Sequence, residues 1–305
     1  MIKIPPYLIK GDLIGITCPA GYMASEKAQT CIQTLQQWGF EVMVGKTLGS
    51  NSTTYFSGTD EERQNEFQAM LDDDSIKAIL CGRGGYGVSR IIDALDFTRF
   101  KKKPKWIIGY SDITVLHCHL NRRFKIASLH SPMAAAFNEG EYKNEFIASL
   151  RKAITGKKAN YKYVAHPHNK TGIATGELVG GNLSLIVHLI GTPSELDTKN
   201  KILFIEDIGE LIYSIDRMFL QLKRSGKLNN LAGLVIGRFT ETRDTERPFG
   251  KSLEDTISEY LKEYDFPVCF GFPVSHHKEN YALKVGVAHQ LIVSKRKVQL
   301  TEIQE

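Results

Sequence analysis

The segment Gly109-Tyr110-Ser111-Asp112 places a serine just after an apolar run, Trp106-Ile107-Ile108, and just before a stretch that reads as a helix, Ile113 to Asn121. A tight turn between strand and helix puts such a side chain at the carboxyl edge of a parallel sheet, where ligands collect in open α/β folds. Backbone N–H groups at the helix start, with their partial positive charge, suit a developing oxyanion. This is the physics of a nucleophile elbow, although the Gly-x-Ser-x-Gly spelling is absent. The same residues also read as a plain helix start, with Ser111 as N-cap and Asp112 and Thr114 satisfying the opening N–H groups.

A second loop belongs beside the first. Gly82-Arg83-Gly84-Gly85-Tyr86-Gly87 follows the apolar run Ile76 to Leu80, so both loops are expected at one sheet edge. Glycines there allow positive φ and close approach of backbone amides to a substrate. The string matches neither phosphate-loop spelling, and an oxyanion-hole role follows if Ser111 is a nucleophile. A serine nucleophile needs a base, and the base needs an orienting partner. Nine histidines are available. His117 and His119, two apart on the expected helix, point to different sides and read as core or surface residues. His130, before Ser131-Pro132-Met133, is placed to line a cleft. His276 and His277 occupy a loop after a strand at Val268 to Gly271. Glu206 closes the apolar run Ile202 to Ile205, either as an edge residue or as an orienter. His166-Pro167-His168 sits in a polar stretch with no carboxylate or cysteine beside it. The cysteines (Cys18, Cys31, Cys81, Cys118, Cys269) are odd in number and lack C-x-x-C spacing, so reduced, buried thiols are expected. No metal and no cofactor are expected.

The elements that must position these residues alternate. Leu13 to Thr17, Phe40 to Val44, Ile76 to Leu80 and Trp106 to Gly109 read as strands. Ser25 to Trp38, Glu61 to Leu71, Val88 to Leu95 and Ile113 to Asn121 read as helices, with Gly39 as a C-cap. That alternation implies a parallel sheet covered on both faces. Residues 157–174 are polar and read as a linker. Beyond it the pattern is mixed. Thr175 to Asn182 is a strand and turn, with Asn182 as N-cap of a helix from Leu183 to Ile190. Further strands are expected at Lys201 to Ile205, Leu234 to Gly237, Val268 to Gly271, Gln290 to Val293 and Lys297 to Thr301, and a helix at Ile212 to Leu222. The domains are therefore read as 1–156 and 175–305. A chain of 305 residues, 42% hydrophobic and 24% charged, supports such globular domains rather than disorder. The net charge of +5 is mild, and the Lys101-Lys102-Lys103-Pro104-Lys105 cluster reads as a solvated loop. A nucleic-acid partner is not expected, because no broad basic stripe with interleaved aromatics exists. Neither a signal peptide nor a membrane span is read, and the expected location is the cytoplasm.

With these strings in view, the chain resembles the LD-carboxypeptidases. These are the muramoyltetrapeptide carboxypeptidases of a serine peptidase family that also contains the microcin C immunity hydrolases. The resemblance rests on seven strings in order. They are Gly11-Asp12-x-Ile14-Gly15 with Pro19-Ala20-Gly21, Arg83 to Gly87, Gly109 to Thr114, His130-Ser131-Pro132-Met133, Gly180-Gly181-Asn182-Leu183-Ser184, Glu206-Asp207 with Ile215-Asp216-Arg217-Met218, and Gly271-Phe272-Pro273. It implies an α/β fold, with an N-terminal flavodoxin-like parallel-sheet domain similar to class I glutamine amidotransferases and a smaller mixed β/α C-terminal domain.

The resemblance also implies Ser111 as nucleophile, His276 as base and Glu206 as orienter, a triad completed across the domain interface. Backbone N–H groups of Gly85 and Asp112 would form the oxyanion hole. It implies a homodimer that needs no metal and releases terminal D-alanine from a murein tetrapeptide. The alternatives are a microcin-type hydrolase cutting an aminoacyl-nucleotide analogue, and a non-catalytic, two-lobed peptide- or sugar-binding protein. Two positions depart from the family pattern: Ser275 stands where glycine usually precedes the histidine, leaving His277 as a rival base, and Ser131 stands where the family usually has glycine. A carboxypeptidase must also hold its substrate's terminal carboxylate, and Arg83 is the expected bidentate partner. The competing role for Arg83 is a structural clamp on backbone carbonyls or on Asp112.

Overall fold

The computed structural model describes residues 2–138 and 144–303. The chain divides into two compact units, Met1–Lys157 with Tyr281–Val285, and Lys158–Asn280 with Gly286–Glu305.

In the first unit the order is β1 (Leu13–Thr17), α1 (Gln29–Gln37), β2 (Glu41–Val44), α2 (Asp60–Asp72), β3 (Ile76–Cys81), α3 (Val88–Ile91), α4 (Thr98–Lys102), β4 (Trp106–Gly109), α5 (Thr114–His119), β5 (Ser128–His130) and α6 (Glu145–Ile154). These five strands are parallel to their neighbours. A strand from late in the chain, Leu283–Val285, adds antiparallel to β5 at the far edge. All four residues of β4 are buried, as are all but Lys77 in β3, the near-continuous apolar runs that a sheet covered on both faces requires. Thr59 caps α2 reciprocally with Glu62, and Asp60, Glu61 and Glu62 complement the positive helix end. Gly39, at φ +94°, ends the turn after α1 as its sequence position suggests. The expected helix from Val88 to Leu95 is shorter than read: α3 gives way to a 3-10 turn at Ile92–Ala94.

The second unit holds β6 (Asn160–Val164), β7 (Gly172–Asn182), α7 (Leu183–His188), β8 (Ile202–Ile208), α8 (Ile212–Arg224), β9 (Gly233–Thr240), α9 (Leu253–Leu261) and β10 (Val268–Cys269). After the strand Leu283–Val285, which is β11, come β12 (Ala288–Val293) and β13 (Lys297–Glu302). Its sheet runs β10-β9-β8-β7-β12-β13-β6. The first four strands are parallel and the rest antiparallel.

Two domain readings are corrected. The supposed linker at 157–174 contains β6 and the start of β7. β6 is a sheet-edge strand on β13, and its polar composition hid an alternation in which Tyr161 and Tyr163 are half-buried between exposed neighbours. Residues 281–285, assigned by sequence to the C-terminal domain, belong to the first unit through their pairing with β5. Five residues without helical or turn punctuation of their own give no local sign of which sheet they join.

Candidate active site

Strand β4 ends at Gly109, where a Cβ would come within 2.8 Å of the Ile113 side chain. The chain can therefore fold tightly back on itself. Ser111 takes φ +62° and begins a 3-10 turn that leads into α5. A left-handed backbone on a non-glycine residue costs about 1–2 kcal/mol and persists where the surroundings enforce it. The glycine loop enforces it from one side. A Cβ on Gly84 would lie 2.8 Å from Ser111 Cβ, 3.1 Å from its Oγ and 3.4 Å from Asp112 N, so only glycine lets the loop backbone lie against the serine. Gly85 follows at φ +99°.

Three buried side chains fix this arrangement. Asp112 is fully buried and its Oδ2 accepts the Val88 N–H at 2.8 Å, tying the turn to the end of the glycine loop. Burial pushes its carboxyl up to about 6, against the stabilising Val88 hydrogen bond and the Arg63 charge. Arg63 donates to Pro19 O at 2.6 Å and Gly87 O at 3.2 Å, and pairs with Asp60. His117 hydrogen-bonds Gly109 O through Nε2 at 2.8 Å. A carbonyl only accepts, so Nε2 carries the proton and Nδ1 accepts from Ser128 Oγ at 2.8 Å. Burial lowers this imidazole to about 4, so it is a neutral brace under the strand end. His119 packs on Phe97 and Phe124, and His130 lies fully buried near the rings of Tyr110 and His117. His130 is thus a core residue of β5. Arg83 is exposed, and its Nη1 donates to Tyr22 O at 2.7 Å, one feature expected of a clamp.

In the second unit the carboxyl ends of the parallel strands carry the polar residues. Asn182 ends β7, Glu206 and Asp207 lie near the end of β8, and His276 follows β10. The β8–β9 ladder is irregular between Ile205 and Asp207, at Glu206 itself, and such bulges re-aim side chains. Glu206 Oε2 meets His276 Nδ1 at 2.6 Å, with the carboxylate fully buried. Burial works to lower the imidazole's pKa, but the Glu206 charge and hydrogen bond outweigh it, so the value lies above the ordinary 6.5. Gly237 in β9 makes room: a Cβ there would meet Val274 O at 2.4 Å and Glu206 Cβ at 3.1 Å. Ser275 Oγ donates to Glu279 O and accepts from His277 N–H, each at 3.0 Å, and so closes the turn that presents His276. The residue that departs from the family's glycine therefore shapes the loop. Asp207 receives Asn182 Nδ2 and the Ser184 N–H, both at 2.8 Å. Burial, together with the adjacent Glu206 charge, pushes Asp207 up to about 6.

The structure brings together Ser111, Asp112 and the glycine loop in one unit, and Glu206 with His276 in the other. His277 instead borders a separate cavity with His166. His166 stacks on Phe270, and His168 bonds Ser258 Oγ at 3.1 Å. Among the described residues no group of three or more His, Cys, Asp or Glu side chains is arranged to hold a metal ion. All five cysteines are buried and unpaired, and burial pushes Cys18, Cys118 and Cys269 up to about 12, which removes them as nucleophiles at neutral pH. Arg63 and Gly237 escaped the sequence reading because each acts through a contact distant in sequence, and the glycine loop was read without the contact of Gly84 on Ser111. Only the glycine inside the apolar run at Val235-Ile236-Gly237 hinted at a close approach.

A serine on a left-handed turn under a glycine loop, and a buried carboxylate bonded to an imidazole, are parts from which serine hydrolases on parallel sheets are built. The chain belongs to the LD-carboxypeptidase family: residues 14–131 match its N-terminal domain and residues 175–291 its C-terminal domain. It is 37% identical over 285 residues to the probable murein peptide carboxypeptidase of Bacillus subtilis, covering 92% of this chain and 89% of the relative. The crystal structure of muramoyltetrapeptide carboxypeptidase from Oxalobacter formigenes superposes with a TM-score of 0.87 at 30% identity, covering 96% of this chain and 99% of the other. A more distant relative is the microcin C7 self-immunity protein MccF of Escherichia coli, 26% identical over 97% of this chain and 94% of that protein.

Proposed function

We propose that the protein is a serine-type LD-carboxypeptidase that releases the terminal D-alanine from peptidoglycan-derived tetrapeptides. The observation that carries the reading is Ser111, held at φ +62° against Gly84 in a chain of this family. Ser111 is the nucleophile, His276 its base and Glu206 the orienter. With Nδ1–H donated to Glu206, the imidazole takes the serine proton through Nε2 as Oγ attacks the carbonyl. Glu206 stabilises the imidazolium without accepting the proton. Backbone N–H groups of Gly85 and Asp112 bind the oxyanion of the tetrahedral intermediate. The intermediate collapses as His276 protonates the departing amine, and water then hydrolyses the acyl-enzyme by the reverse proton path. Arg83 binds the terminal carboxylate of the substrate through the part of its guanidinium not bonded to Tyr22 O. The unpaired thiols support a reducing, cytoplasmic setting. The homodimer implied by the family resemblance completes the reading.

The test is mass spectrometry of a murein tetrapeptide incubated with the purified protein. The expected product is the tripeptide with one equivalent of free D-alanine. An intact tetrapeptide, with cleavage instead of an aminoacyl sulfamoyl nucleoside, would overturn the substrate assignment.

A further inference from the structure

Pro19-Ala20-Gly21 carries part of the family resemblance, yet it takes no part in the proposed proton transfers. It follows β1 as the glycine loop follows β3. These strands are parallel neighbours, so both segments lie at the carboxyl edge of one sheet. Gly21 N–H donates to Gly84 O at 3.0 Å. A trans peptide is planar, with its C=O and N–H pointing in opposite directions. The bond from Gly21 therefore turns the Gly85 N–H away from residues 19–22. Among the described residues nothing accepts that N–H, and Gly85 is exposed. A free donor thus stands directly beside Gly84, the residue that lies against Ser111.

Such a peptide needs holding. Gly84 and Gly85 both lack a Cβ, so the plane between them can flip with little steric resistance. Flipped, it would present a carbonyl where the donor had been. Gly21 opposes the flip through its hydrogen bond, and it must itself be small: a Cβ there would meet Gly84 O at 2.9 Å. Tyr55 covers the next residue, where a Cβ on Gly85 would meet Tyr55 Oη at 2.6 Å. The segment carrying Tyr55 also braces Gly21 from its other side. Tyr55 O accepts the Tyr22 N–H at 2.9 Å, and Ala20 O accepts the Ser57 N–H at 3.1 Å. Arg63, donating to both Pro19 O and Gly87 O, ties the start of this segment to the end of the glycine loop.

We propose that Gly21 and Tyr55 are positioning residues for catalysis: together they lock the Gly84–Gly85 peptide with its N–H presented to the developing oxyanion. The inference rests on the carboxypeptidase reading, in which Gly85 N–H is one of two oxyanion donors. Both residues act through Gly85 rather than on the substrate. Their loss therefore weakens an interaction made only in the transition state, and it falls on kcat rather than on KM.

The experiment follows D-alanine release from a murein tetrapeptide by wild type, Gly21→Ala and Tyr55→Ala, with circular dichroism to confirm folding. Gly21→Ala pushes on the carbonyl it should hold, and kcat is expected to fall about a hundredfold, the scale of losing one oxyanion donor. Tyr55→Ala keeps the backbone bond to Tyr22 and uncovers Gly85. Its kcat is expected to fall about tenfold, as for a peptide in the active orientation about a tenth of the time. KM should stay within about twofold of wild type in both. Wild-type kcat in either folded variant, or a loss carried by KM, overturns the proposal. Amide hydrogen exchange of the unliganded wild type, read by NMR, needs neither substrate nor variant. The Gly21 amide is expected to be protected and the Gly85 amide to exchange freely; a protected Gly85 amide overturns the proposed orientation. Alanine release by the wild type decides the carboxypeptidase reading separately.

Discussion

Replacing Glu206 with glutamine keeps the shape of a fully buried side chain and removes the charge opposite His276. In the native protein, burial lowers the imidazole pKa and the carboxylate more than offsets it, so His276 lies above 6.5. Without that charge, burial is opposed only by the charges of Asp207 and Glu241, and the pKa falls. The lost interaction is a charge-assisted hydrogen bond at 2.6 Å, which contributes about 1.5–3 kcal/mol.

Two readouts follow. The acid limb of kcat/KM against pH reports the free enzyme's base, and it moves to lower pH in the variant. The plateau kcat falls by about four orders of magnitude, because glutamine can hold the wrong tautomer. Stability carries the same signature. A histidine with a raised folded pKa stabilises in full below about pH 6.5 and loses that contribution as pH rises through its folded pKa. The stability difference between wild type and variant is therefore larger at pH 6 than at pH 9. An NMR titration placing wild-type His276 at or below 6.5, or an acid limb unmoved by Glu206→Gln, would show that Glu206 does not raise the imidazole pKa.

Gly84→Ala puts a methyl 2.8 Å from Ser111 Cβ. It should lower kcat by about a hundredfold or more through misplacement of the serine, while circular dichroism shows an unchanged fold. Asp112 is raised from 3.8 to about 6 chiefly by burial, so its contribution to stability is present below pH 3.8 and lost as pH climbs to 6. Asp112→Asn, which can still accept from Val88 N–H, should therefore be more stable than wild type at pH 7 by up to about 3 kcal/mol. Denaturation at pH 4 should show that advantage gone; an equal advantage at both pH values would count against the burial argument. Arg83→Lys should lose far more kcat/KM on the free-acid tetrapeptide than on its C-terminal amide. Equal losses would leave Arg83 only as the clamp on Tyr22 O.

The strand–turn–helix around Ser111 was legible because each step has a local sign: an apolar run, a glycine, and residues able to open a helix. The same holds for Asn182, whose side chain accepts from Leu185 N–H as an N-cap. β6 was lost because Asn160, Tyr161, Lys162 and Tyr163, with only Val164 aliphatic, look like a loop at a sheet edge until β13 is beside them. The return of β11 to the first sheet depends on a pairing with residues more than 150 positions earlier, which no local pattern encodes. At the site, Glu206 and His276 could be picked from several candidates and paired only through the family resemblance. Spacing gave no reason to join a strand-end glutamate to a loop histidine 70 residues later. Nor did it show that Ser275 closes the loop, or that Gly237 leaves room for Glu206. Those depend on distances that appear only once the sheet is assembled.

The proposed role of Ser111 is tested by following D-alanine release from a murein tetrapeptide by wild-type and Ser111→Ala proteins side by side. One D-alanine per peptide is expected from the wild type, and a rate lower by about six orders of magnitude from a variant that remains folded. A Ser111→Ala protein that keeps more than about a hundredth of the wild-type rate would contradict it.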